Sequence, residues 1–332
     1  MGLNSEEKRR LAITIRCRDA DVIPKVAGAG SIEIRDGQEV QIMHNGVVVA
    51  KDGYYGEWTT ETIRLLNGHH EPQEELAFAM VMDHLGKFRD SKSVPVMVEY
   101  GAYWAYYSLW FLSSFPEGKA VCVEPDPKNI EVGRRNFALN GREGIFIQGG
   151  IAVGKKKSFA FITERPIERI KVRDIPLSSL LVEQELSHVD VLLADIQGAE
   201  IPLLQKSAAI FKERKVRFVF ISTHDFSISG SATTHQQALA ILTEAGAKIV
   251  VEHSVSESYS GDGLIVASFD ERDKDLSISI SYARSKDSLF GEWEPRLETL
   301  RNTNLVVRMV KETHVWSFLR AGKHAAKRGL QN

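Results

Sequence analysis

One stretch limits what this chain can fold into more than any other: residues 94–141, VPVMVEYGAYWAYYSLWFLSSFPEGKAVCVEPDPKNIEVGRRNFALNG. A short apolar run (94–98) is followed by Glu99 and a tight turn at Gly101, then an aromatic-rich helix. A second apolar run (120–123) ends in Glu124 and leads into a second helix. Strand, helix, strand, helix at these lengths predicts a parallel sheet with a ligand crevice beyond the carboxyl ends of the first two strands. Glu124 lies about twenty residues past the turn, where an acid accepts hydrogen bonds from both hydroxyls of a ribose. The spacing selects a nucleoside ligand.

What the turn lacks narrows the choice. A dinucleotide needs three glycines so that backbone N–H groups reach a pyrophosphate, whereas Gly101 is followed by Tyr103, Trp104 and Ala105. S-adenosylmethionine has a ribose and no phosphate, and asks only for the first tight turn and an acid near its amino group, which Glu99 supplies. A nicotinamide-dependent dehydrogenase is disfavoured by the same missing glycines. The expected cofactor contacts are Glu99, Gly101, Tyr103, Glu124, the following Pro125, and Asp195. Helical spacing also lets Tyr100, Tyr103 and Trp104 pack into the core instead of facing the sulfonium or adenine.

The order VEYGAYWAYYSLWF, VEPDPKNIEVGRRNFALNG, DVLLADIQGAE and FVFISTHDF resembles the FkbM-type family of S-adenosylmethionine-dependent methyltransferases. The likeness covers roughly residues 71–269. It implies a Rossmann-like class I methyltransferase sheet and, for most members, O-methylation of a sugar or natural product. Glu99 stands where the family has Asp, Ala105 where it has Gly, and Gln197 where it has Glu. The resemblance also implies that the loop around His69, His70 and Glu71 lies beside the cofactor.

Composition adds exclusions. Forty-two Lys and Arg against 44 Asp and Glu give a net charge of −2, so no basic field marks a nucleic-acid partner. Two cysteines, Cys17 and Cys122, cannot form a disulfide framework, which fits a reducing compartment. The N-terminus lacks the apolar core of a signal peptide, and no run approaches eighteen charge-free apolar residues; a cytoplasmic protein without stable membrane insertion is expected. A small-molecule or glycan acceptor is the expected partner, and a homo-oligomer stays open.

Along the chain, residues 1–70 read as an N-terminal extension. Alternating apolar and polar residues at 31–50, broken at Asp36-Gly37 and Asn45-Gly46, predict a small antiparallel meander within it. Residues 54–61 read as aromatic and turn-like. His69, His70 and Glu71 invite a metal reading, but consecutive histidines point apart, and a polar loop is preferred. Pro72 opens a helix. Residues 71–270 form the cofactor-binding domain. Its later part has a third strand at 144–148, a hairpin over 151–163 with its tip at Lys155, Lys156 and Lys157, a fourth strand at 189–194 and a fifth at 216–222. Helices are expected at 199–211 and 233–245. Runs at 248–253 and 263–269 make a closing hairpin whose last strand is antiparallel at the sheet edge. Residues 271–332 read as a helical extension, basic and amphipathic at 308–328.

Ionisable residues at strand ends carry the chemistry. Asp195 ends the fourth strand, and His224 and Asp225 end the fifth. Two mechanisms for deprotonating a hydroxyl fit. In one, His224 is the general base and Asp195 orients it or the substrate. In the other, Asp195 and Asp225 hold Mg2+, which lowers the acceptor's pKa. Two plainer readings stand beside them: Asp195 as a helix cap with His224 a satisfied loop residue, and a module that binds S-adenosylmethionine without catalysis.

Overall fold

Residues 2–283 apart from Ser91 and Arg165, together with Leu289, are described by a computed structural model. The first helix, α1 (Ser5–Thr14), is started by Asn4, whose side chain accepts from the backbone of Glu6 and Glu7 while Glu7 reaches back to the Asn4 N–H. The predicted meander follows as β1 (Ile32–Arg35), β2 (Gln38–Ile42) and β3 (Val48–Ala50), antiparallel in that order. Asp36 and Gly37, both at positive φ, make the first reversal. Then come α2 (Glu57–Leu65) and α3 (Pro72–Phe88), the latter with Pro72 in its first turn.

The sheet-forming half runs β4 (Val96–Tyr100), α4 (Tyr106–Ser114), β5 (Lys119–Glu124), α5 (Pro127–Leu139), β6 (Ile145–Gln148), β7 (Ser158–Ile162), β8 (Arg169–Arg173), α6 (Leu177–Glu183), β9 (Val189–Ala194), α7 (Glu200–Lys212), β10 (Val216–Thr223), α8 (Phe226–Ser229), α9 (Thr234–Glu244), β11 (Lys248–His253) and β12 (Gly263–Ser268). Seven strands pair in the order β11-β12-β10-β9-β4-β5-β6, parallel throughout except for β12. This is the Rossmann-like methyltransferase sheet. The strand order reverses between β4 and β9, which puts the crevice at their carboxyl ends.

Continuous apolar strands fit a sheet covered on both faces. With the two-residue side-chain period, Met97, Val191 and Phe218 join Phe78, Trp110 and Phe111 in one layer. Val98, Leu192 and Val219 join Leu203, Phe211 and Leu242 in the other. The meander docks on the sheet side through α5: Asn136 accepts from Ala50 N at 2.8 Å, and Asn140 both accepts from Val48 N at 2.9 Å and donates to Val48 O at 2.7 Å. Two asparagines thereby satisfy backbone groups of β3 that no strand pairs.

Three expectations are corrected. Residues 57–65 are helical, not turn-like. The hairpin is β7–β8, so Lys155, Lys156 and Lys157 precede its first strand instead of capping its tip. The antiparallel strand β12 is not at the edge: it fills the gap between β10 and β11, and β11 is the edge. Gly263 faces Thr223 across that pairing, where a Cβ would come 2.5 Å from the Thr223 hydroxyl oxygen. Past the single 3-10 turn Glu271–Asp273 no helix follows among the described residues, and the reading of 284–332 lies outside them.

Candidate active site

The site begins at the turn after β4. Gly101 N–H and Ala102 N–H donate to Val123 O at 2.8 and 3.3 Å, and Asp195 N–H donates to Tyr100 O at 3.0 Å, so the ends of β4, β5 and β9 are tied together. Gly101 has φ +77, and a Cβ there would lie 2.8 Å from the Asp195 carbonyl carbon and closer still to its oxygen. The sequence requires glycine here for backbone approach as much as for its dihedral. The helix α4 then starts from Ala105, held at φ +57 in the left-handed region. That is the position where the resembled family has glycine.

Two buried acids frame the turn. Glu99 accepts from the Ser108 N–H at 3.1 Å and from the Ser108 hydroxyl, which places a carboxylate on the first turn of α4. Burial pushes its pKa up to about 8 against the pull of those bonds. Glu124 accepts from Tyr103 N at 3.1 Å, Asp126 N at 2.9 Å and Asn129 Nδ2 at 3.3 Å. A carboxylate offers about four lone-pair sites, so one remains for a ligand. Burial raises this group to about 7.

Glu99, Gly101, Tyr103, Glu124, Pro125 and Asp195 all line one cavity of about 320 Å³. The remaining wall was not foreseen. Tyr54 stacks on Trp104 with ring centroids 4.5 Å apart and planes 6° off parallel, and Tyr55 packs edge-on against Tyr103 at 5.4 Å. Phe159 and Phe161 of β7 close another side. Three wall residues, Tyr55, Tyr103 and Gln197, hold positive φ, a conformation seldom adopted by side chains of that size. The Tyr54-Tyr55 pair after Gly53 was the available sequence signal. His70 and Glu71 also line the cavity. Burial opposes charge on His70, but Glu71 and Glu75 outweigh it and hold its pKa at about 10.

A second cavity of about 250 Å³ shares Tyr54, Tyr55, His70, Glu71, Asp195 and Gln197 with the first, and adds Trp58, His224 and Asp262. Asp195 and His224 therefore meet where the two chambers adjoin. The His224 Nε2 lies 3.0 Å from Asp195 Oδ1 and 3.6 Å from Asp262 Oδ1, and its Nδ1 lies 2.8 Å from Glu200 Oε1. Burial disfavours a charge on this ring, yet Asp262, Asp195 and Glu200 together keep it protonated, well above its ordinary value. Asp262 is itself pushed up to about 7, first by burial and then, against His224, by the carboxylates around it. Glu200 and Asp262 were missed in the sequence, since only the tertiary fold brings them to His224.

Asp225 is not brought to this place. Its carboxylate caps α8 by accepting from Ser227 N at 2.9 Å, and it lines neither chamber. Among the described residues the three-residue group with ligand spacing is His44, His69 and Glu75.

Residues 89–249 match the family model described as the methyltransferase FkbM domain. No curated protein matches the chain. Among solved structures, the METTL16 MTase domain (crystal form 2) is similar at 14% identity over 70% of this chain and 87% of that one, with a TM-score of 0.44. Precorrin-6y C5,15-methyltransferase from Geobacter metallireducens GS-15 is similar at 15% identity over 58% and 87%, with a TM-score of 0.37. WbdD is similar at 12% identity over 59% of this chain and 40% of its own, with a TM-score of 0.38. Likenesses this distant say nothing about the acceptor.

Proposed function

We propose, from the match of residues 89–249 to the methyltransferase FkbM domain, that this chain transfers the methyl group of S-adenosylmethionine to a hydroxyl oxygen of a sugar, polysaccharide or natural product. The observation that carries the reading is the pair of adjoining chambers with Asp195 in the wall of both. The inner chamber takes the cofactor, with the one acceptor site left on Glu124 taking a ribose hydroxyl, Glu99 near the amino group, and Gly101, Tyr103 and Pro125 along the adenosyl part. A donor with a net positive charge suits a chamber lined by several carboxyls. The outer chamber takes the acceptor. Its aromatic faces at Tyr55 and Trp58, set beside Asp262 and Glu71, suit a polyhydroxylated ring.

Methyl transfer is an in-line displacement: the acceptor oxygen bonds to the methyl carbon as the carbon–sulfur bond breaks, leaving S-adenosylhomocysteine. Positioning supplies on the order of 7–11 kcal/mol of such a barrier. With both ring nitrogens of His224 facing carboxylates, its imidazolium has no lone pair for the acceptor's proton. We therefore give the proton to Asp195 and make His224 the cation that orients it. The aspartate-held Mg2+ has no support from Asp225, which caps α8. Residues 71–270 are taken as the catalytic domain, with the preceding segment contributing Tyr54 and Tyr55 to the wall. A cytoplasmic setting is kept as part of this reading; no helix among the described residues is long and apolar enough to cross a membrane.

Two expected results test the cofactor half. Glu124→Ala weakens S-adenosylhomocysteine binding by about 1.5–3 kcal/mol in calorimetry, because hydrogen bonds to a charged acceptor are lost; unchanged affinity places the ribose elsewhere. The second concerns pH. In the empty chamber Glu99 and Glu124 hold protons up to about 8 and about 7 respectively. The ligand's ammonium group and a ribose hydroxyl need the anions, so binding expels protons and affinity rises as pH climbs from about 6 toward about 8, then falls as the ligand's own α-amino group loses its proton. Calorimetry in buffers of different ionisation enthalpy reads the released protons directly, and a pH-independent affinity contradicts the assignment.

A further inference from the structure

His44 and His69 are brought together by a close approach of two loops. His44 N–H donates to Gly68 O at 3.0 Å, and Gly68 has φ +94 with a position where a Cβ would lie 2.7 Å from the His44 Cα. No other residue fits there, so the turn before β3 and the loop before α3 stay locked with their histidines stacked, ring centroids 4.3 Å apart and planes 17° off parallel. Both side chains are deeply buried, at 2% and 1% exposure.

The protons on these rings follow from their partners. His44 Nδ1 faces the Pro24 carbonyl at 3.2 Å, and a carbonyl only accepts, so Nδ1 carries the hydrogen. His69 Nδ1 faces Glu75 Oε2, a carboxylate oxygen placed to accept from the ring N–H. Nδ1 is the donor there too. Each ring then turns an Nε2 lone pair into the interior, and neither Nε2 has a hydrogen-bond partner. Fixing one ring nitrogen by a carboxylate or carbonyl while the other is left bare is how proteins prepare a histidine for a metal. His44 also lines an open groove with Pro24, Lys25 and Trp110, a route for an ion and its water ligands.

We infer that His44 and His69 bind a divalent ion of the zinc class through their Nε2 atoms, with Glu75 behind His69 and water from the groove completing the coordination. Ligand-capable atoms of His44, His69 and Glu75 lie within 4.8 Å of one another. Bonds to zinc are about 2.0–2.1 Å for imidazole nitrogen, so binding turns both Nε2 atoms onto one ion and splays the rings apart, out of the parallel stack. Neutral imidazoles favour zinc, copper or nickel over magnesium or calcium. The ion ties the meander to the loop that carries His70 and Glu71 into the cofactor chamber; it takes no part in methyl transfer, and the inference does not depend on that activity.

The test uses the untagged full chain, stripped with a chelator and titrated with Zn2+ in a calorimeter. One ion per chain is expected, with a zinc-dependent rise in melting temperature. His44→Gln and His69→Gln are each expected to weaken binding by about 100-fold or more and to remove that rise. Should either variant fail to fold, zinc X-ray absorption on the wild-type chain decides, with two imidazole nitrogens at about 2.0 Å expected. Absence of zinc uptake, equal uptake by both variants, or fewer than two imidazoles around the ion overturns the inference.

Discussion

Gly101→Ala is expected to abolish cofactor binding and to destabilise the fold by about 3–5 kcal/mol. The positive φ alone costs an alanine on the order of 1–2 kcal/mol. The larger part comes from the Cβ, which would lie against the backbone carbonyl of Asp195, a rigid strand end with no rotamer to yield. Relief requires β4 and β9 to part where Tyr100 and Asp195 are hydrogen-bonded, and this opens the turn on which Glu124 and Tyr103 meet. Chemical denaturation reads the stability loss and calorimetry with S-adenosylhomocysteine reads the binding. An alanine variant with native stability and native affinity would mean that the turn is not the cofactor's seat.

Asp195→Asn should separate catalysis from binding. Losing a group that handles the acceptor's proton costs a factor of about 10²–10⁴ in rate. The amide keeps the shape of the shared wall, so affinity for S-adenosylhomocysteine stays within a few-fold of wild type. Turnover is followed as S-adenosylhomocysteine formed in the presence of an acceptor. His224→Gln should act through the same step, because its ring lies 3.0 Å from Asp195 and 2.8 Å from Glu200. The double variant is then expected to lose little more than Asp195→Asn alone, since the residues work as one unit. Additive losses, or full rate in Asp195→Asn, would return Asp195 to a structural role.

Much of the sheet was legible because its strands are apolar runs ended by polar or turn residues. The runs at 189–194 and 248–253 are strands over those same residues. The β4 turn and Glu124 were legible for a different reason: their spacing is local, and local chemistry leaves a mark on the sequence. What escaped was either short or made by tertiary contact. The helix α2 has only nine residues and starts at Gly56 without a side-chain cap, so few of its residues announce it. The β7–β8 hairpin was read too early because alternation in 151–163 hid a later partner at 169–173. Position β12 depends on which gap in the sheet is open, and no residue within β12 records that.

The site divides the same way. Glu99, Gly101, Tyr103, Glu124 and Pro125 lie along one continuous unit and line one cavity. Tyr54 and Tyr55 arrive from the segment before α2, and Glu200 and Asp262 reach His224 from the start of α7 and the loop before β12. Glu200 and Asp262 join Asp195 in raising the His224 pKa, and of these three a reading limited to strand ends sees only Asp195.

The central claim is that the inner chamber is built for S-adenosylmethionine. It is tested most directly by titrating the intact chain with S-adenosylhomocysteine and, separately, with NAD. The account predicts saturable binding of one S-adenosylhomocysteine per chain, weakened in Glu124→Ala, and no binding of NAD. Binding of NAD with no response to S-adenosylhomocysteine would contradict it.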